Sequence, residues 1–140
     1  MQNKIAINTD NWTICVLNSF PSAMDETRLC LDEMDFLLAR RAQFALVYPP
    51  TKQSTGKPSV EKMDAMKYVR RWLKIAKDPL VEYCCAMVVT LQPNGSDKEE
   101  MERMAPMISA LYGPIVFIET DATAAKARAA ALVAERLIIG

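Results

Sequence analysis

Apolar residues fall along this chain in two rhythms. Phe44 to Tyr48, Cys84 to Leu91 and Pro114 to Ile118 are short, nearly continuous runs, and around them apolar side chains recur every three or four positions. Runs of Val, Ile, Leu, Phe and Cys predict strands covered on both faces, and the spaced segments predict the helices that cover them. The alternation predicts an α/β domain with a mixed, mostly parallel sheet, an N-terminal hairpin and about four helices.

Lys4 to Asn8 and Trp12 to Asn18 read as the hairpin strands, with Thr9, Asp10 and Asn11 as their turn. Pro21 ends the second strand and Ser22 is placed to cap the first helix, with Asp25 and Glu26 in its first turn. Cys30, Met34, Leu37 and Leu38 form its inner face, and it ends near Arg41. Residues 51 to 59, rich in Ser, Thr, Lys, Gly and Pro, read as a loop.

Ser59 is placed to cap a second helix reaching about Lys77, with Met63, Met66, Val69, Leu73 and Ala76 as its apolar stripe. Asp78-Pro79 is expected to break it, leaving residues 80 to 83 as a separate turn. After a turn at Pro93-Asn94-Gly95, Ser96 and Glu99 form a capping box for the third helix. Met104, Met107, Ile108 and Leu111 are its expected inner face, Pro106 predicts a kink or early break, and Gly113 ends it. Thr120 or Asp121 caps a last, Ala-rich helix reaching about Leu137, with Ala125, Ala129, Leu132, Val133 and Leu137 facing inward. Neither repeat nor linker interrupts the pattern, so one domain over 1–140 is expected.

Composition narrows the function. Lys and Arg balance Asp and Glu at 17 each, which argues against a nucleic-acid binder and allows copies to associate. No apolar run approaches the roughly 18 residues that span a bilayer, and Met1 to Lys4 lacks a signal-peptide layout, so a cytoplasmic protein is expected. The four cysteines fit that setting as reduced, core-packing thiols, with Cys15, Cys84 and Cys85 on strands and Cys30 on a helix. Cys84 and Cys85 point to opposite faces of their strand.

Three stretches, FLLARRAQFALVYPP (36 to 50), YVRRWLKIAKDPLVEYCCAMVVTL (68 to 91) and PIVFIETDATAAKARA (114 to 129), together with the element order, resemble SpoIIAA-like STAS/SEC14-type domains. These are bacterial relatives of the anti-sigma-factor antagonists. The resemblance covers most of residues 12 to 137 and implies helices packed mainly against one sheet face, no catalytic machinery and a binding role. In the antagonist branch a Ser in an Asp-Ser-type motif at the start of the second helix is phosphorylated to switch partners. Here the loop reads Gln53-Ser54-Thr55-Gly56-Lys57-Pro58-Ser59 without an acidic residue before Ser54, so Ser54, Thr55 and Ser59 are candidates by position only.

The chemistry visible in the residues agrees with binding. The chain has no histidine, which removes the usual general base and the commonest transition-metal ligand. It carries no phosphate-binding or dinucleotide Gly-rich motif, so neither cofactor nor metal is expected. The 51 to 59 loop links a strand's C-terminal end to a helix start, where open α/β sheets bind ligands, and Lys52 and Lys57 with Ser59 suit an anion or a phosphorylated side chain, or form simply a solvated connection with an ordinary N-cap. Lys67, Arg70, Arg71 and Lys74 give the second helix a basic face for a protein partner or anionic headgroups, or simply its wet side. The expectation is a non-catalytic regulatory module that binds a protein partner through the loop and this helix. The alternatives are a carrier of a small apolar or lipid-like ligand and a structural subunit of a homo-oligomer.

Overall fold

The computed structural model describes residues 6–18, 23–50 and 60–139. The chain runs β1 (Ile7–Asn11), β2 (Ile14–Leu17), α1 (Met24–Ala39), β3 (Phe44–Tyr48), α2 (Val60–Tyr83), β4 (Cys84–Thr90), α3 (Lys98–Tyr112), β5 (Val116–Glu119) and α4 (Ala122–Ile139). The strands form one sheet in the order β1-β2-β3-β4-β5. β1 and β2 are antiparallel, and every later pair is parallel. The mixed, mostly parallel sheet with its hairpin and four helices is thus as the apolar rhythm predicts.

Strand order dictates where the helices go. From β2 to β5 each strand is laid beside its predecessor in one direction, and parallel crossovers are right-handed. α1, α2 and α3 therefore share one face. There Cys15, Leu17, Phe44, Leu46, Cys84 and Met87 meet their inner residues. α4 crosses back over the other face, where Ala125, Ala129 and Val133 pack on Ala45, Val47 and Val88. Cys84 and Cys85 point to these two opposite cores, and all four cysteines are free thiols.

Several boundaries differ from the sequence expectation. The hairpin turn is Trp12-Thr13, not Thr9 to Asn11. Asn8 Oδ1 accepts the Asp10 N–H inside a bulged β1, while the Trp12 ring anchors the turn by stacking on Phe44 at 5.8 Å beneath the Arg40 guanidinium. Pro21 and Ser22 lie outside the described residues; the N-cap position of α1 is Ala23, whose N–H donates to Glu26.

α2 runs through Asp78-Pro79, and residues 80 to 83 are its last turn. α3 likewise runs through Pro106. The carbonyls that these prolines leave unbonded, on Ile75 and Glu102, belong to exposed residues within reach of water. Arg136 of α4 and Gln43 hold the extra turn of α2 by donating to the carbonyls of Val81 and Glu82.

Ser96 does not cap α3: Asp97 is the N-cap residue, and its buried carboxylate accepts the Gln92 N–H while the Ser96 N–H is taken by Asn94. Asp121 does cap α4, accepting the Ala124 N–H at 2.8 Å. Gly113, at φ +107°, ends α3 against α2, where a Cβ would strike Val81.

Candidate functional site

α2 is about 36 Å long at the helical rise, and it covers strands of about 17–23 Å. It therefore overhangs the sheet. Its buried residues are Ala65, Leu73, Ala76 and Leu80, concentrated in the C-terminal half. Of the expected stripe, Val69 is half-buried, while Met63 and Met66 are exposed. α3 departs from expectation in the same way. Met101 is its buried residue, Ile108 is half-buried, and Met104, Met107 and Leu111 are exposed. On α4, Leu137 is exposed and does not join the inner face formed by Ala125, Ala129 and Val133.

Beneath the N-terminal half of α2 lies a cavity of about 240 Å³. Its floor is Leu17, Leu46, Tyr48 and Met87 of the sheet, α1 gives Cys30 and Met34, and α2 roofs it with Ala65, Met66 and Val69. A second cavity of about 200 Å³ lies under α3, between Met101, Met104 and Ile108 and the strand residues Val89 and Val116. Tyr48, Met87 and Tyr112 line both, so the two spaces adjoin across these three side chains. Together they reach the lower part of the ~300–1,000 Å³ range of ligand pockets.

The position is the one open α/β sheets use for ligands. Leu17 and Tyr48 are the last residues of β2 and β3, so the larger cavity opens at the C-terminal ends of parallel strands. Lys62 and Arg70, both exposed on α2, stand at its rim.

The interior is apolar and keeps its titratable groups neutral. Burial pushes the Tyr48 phenol well above its ordinary value, and burial also raises Tyr112. Burial moves the Cys30 thiol from 9.0 to about 11, and the negative Glu33 nearby adds to the shift. Cys84, behind the floor, is pushed up to about 12. No thiolate forms on this side at neutral pH, so none of these thiols is an activated nucleophile. Neutral phenols and methionine thioethers in an apolar wall can hold a ligand and orient it.

Of the residues singled out from sequence, Lys52, Ser54, Thr55, Lys57 and Ser59 lie outside the described residues. Lys67, Arg70, Arg71 and Lys74 are exposed on α2, and Arg70 alone of these borders the cavity. Tyr48, Tyr112 and Met87, the residues common to both cavities, carry no spacing signal. Tyr48 could be suspected only as a polar-tipped residue ending an apolar strand. Among the described residues no helix is long and apolar enough to cross a membrane, and no group of three or more Cys, Asp or Glu side chains converges as a metal site. No protein-family model matches the chain, and no curated protein or solved structure matches it either.

Proposed function

We propose that this chain acts by binding rather than catalysis, and that it carries a small amphiphile with its apolar body in the cavity between the sheet and α1–α3. The larger cavity at the strand C-terminal ends, with the smaller one adjoining it, is the observation that carries this reading. Lys62 and Arg70 at the rim favour a polar or anionic end that stays near solvent. The cytoplasmic setting belongs to the same reading. Kinship with SpoIIAA-like STAS domains rests on the three sequence stretches and the element order.

Native mass spectrometry of protein purified gently from its own cells tests it. The expected result is the chain carrying a few hundred daltons of extra mass. Filling the larger cavity with Ala65→Phe should remove that mass and the fluorescence of an added apolar dye such as N-phenyl-1-naphthylamine. Bare chain that also leaves the dye dark would overturn the reading.

A protein partner on α2 is the second reading, favoured by the exposed Val60, Met63 and Ile75 interspersed with Lys67, Arg70, Arg71 and Lys74. Modification of Ser54, Thr55 or Ser59 would tune that contact. Ser59→Asp altering partner affinity with the fold intact is the result expected of it.

A further inference from the structure

α1 and α2 lie side by side and run parallel, in a register that two hydrogen bonds fix. The Met24 N–H donates to Glu61 at the start of both helices, and Trp72 Nε1 donates to Asp35 Oδ1 at 2.8 Å further along. Both bonds join residues 37 apart, so each α1 residue is level with the α2 residue 37 positions later.

The outer surface of this pair carries two large apolar side chains among its charged ones. Phe36 of α1 is 75% exposed and Ile75 of α2 is 85% exposed. Phe36 is level with Leu73, so Phe36 and Ile75 differ in height by only about 3 Å. Between the helices an open groove of about 670 Å³ is lined by Leu38, Ala39, Trp72, Ala76 and Pro79 together with the charged Asp35, Arg41 and Glu82, and Ile75 forms part of its wall. Two large exposed apolar side chains at such a mixed groove suit a self-complementary contact.

Charge on the pair is divided as a second copy would need. The exposed polar positions of α1 include Asp25, Asp32 and Asp35 against Arg28, and those in the middle of α2 are Lys67, Arg70, Arg71 and Lys74. A two-fold axis running along the seam, parallel to both helices, lays each copy's α1 over its partner's α2 and preserves their heights. Acidic helix then meets basic helix twice, and Phe36 of each copy meets Ile75 of the other. A two-fold parallel to the helices but centred on α1 sets Asp32 against Asp32 and Asp35 against Asp35 instead.

We propose that the α1–α2 face is the interface of an isologous homodimer, with Phe36 and Ile75 in the groove and Asp32 paired with Arg71 across the axis. This rests on the partner-surface reading of α2, narrowing the partner to another copy of the chain, and is independent of the cavity.

Sedimentation equilibrium of the purified chain tests it. A dimer that dissociates on dilution is expected. Phe36→Asp and Ile75→Asp should each weaken it about 30-fold or more while circular dichroism and Tm stay near wild type, since both side chains are exposed in the single chain. Asp32→Lys alone and Arg71→Glu alone should each weaken the dimer about tenfold. Mixing those two variants should restore a heterodimer, because both cross-axis pairs then become Lys opposite Glu and Asp opposite Arg. A monomer at every concentration, a dimer indifferent to Phe36→Asp and Ile75→Asp, or a mixture that fails to pair would each overturn the proposal. The broader reading is measured separately, by whether a different protein co-purifies and is lost on Lys74→Glu.

Discussion

The two faces of the sheet are packed by opposite means. On the α4 face, Ala125 and Ala129, both fully buried, bring the helix backbone close to Ala45, Val47 and Val88. On the α1–α3 face, Leu, Met, Phe and Tyr predominate beside Cys15, Cys30 and Cys84, and both cavities open there. Small residues allow close approach and leave no void, whereas large flexible ones fill space only where a helix presses on them. The face with more apolar volume is therefore the one with room for a ligand.

An alkaline titration makes the largest test of that contrast, because it asks whether the roomier side is dry. Cys15 and Cys30 are raised from 9.0 to about 11 and Cys84 to about 12, each chiefly by burial. In the unfolded chain these thiols lose their protons near pH 9, so between there and pH 11 to 12 the native state binds more protons than the unfolded one. Stability is full below pH 9 and falls as pH rises through that window. Urea midpoints measured from pH 7 to 11 should drop steeply above 9, and Cys84→Ala should flatten the drop. A wild-type midpoint independent of pH would mean that water already reaches these thiols.

One substitution made on both faces isolates packing. Ala129→Leu inserts bulk where the backbone lies close, and about 1–3 kcal/mol of destabilisation is expected. Ala65→Leu points the same bulk into the larger cavity and should change stability by less than about 1 kcal/mol. Equal losses in denaturant melts would show that the two faces are packed alike.

Arg136 joins the two sides of the sheet. From α4 it donates to the carbonyls of Val81 and Glu82 at 2.9 and 3.1 Å, where α2 ends beyond its proline. Arg136→Ala should cost about 1–2 kcal/mol. Amide exchange should quicken in residues 80 to 83 while α4 stays protected. Exchange that quickens first along α4 would assign the residue to the helix that carries it.

These details mark how far the sequence could be read. The succession of elements and the inward Ala125, Ala129 and Val133 of α4 were legible because apolar runs and fixed spacing report local burial directly. The run of α2 past Pro79 was not, because its last turn is held by Arg136 and Gln43, far away in sequence. Met63, Met66 and Met107 were assigned inward because periodicity tells which residues share a face and not whether anything covers it. The cavity was hidden for the same reason: it arises from a helix longer than the strands beneath it. Lys67, Arg70, Arg71 and Lys74 were legible as surface, whereas Phe36 and Ile75 were masked among ordinary apolar positions.

The smallest test concerns what holds the roomier side together. Besides their apolar contacts, α1, α2 and α3 are tied to one another by polar bonds: Glu61 to the Met24 N–H, Lys77 Nζ to the Ala110 carbonyl, and Trp72 to Asp35. Trp72→Phe keeps most of the ring and removes its donor, so about 0.5–1 kcal/mol, or a Tm lowered by about 3 °C, is expected. Asp35→Ala removes the acceptor, and the double variant should lose little more than either alone, because both destroy one bond. Fully additive losses would mean that apolar contact of the Trp72 ring, and not its bond to Asp35, sets the spacing of α1 and α2. The roomier face would then be packed by the same principle as the α4 face, merely less closely.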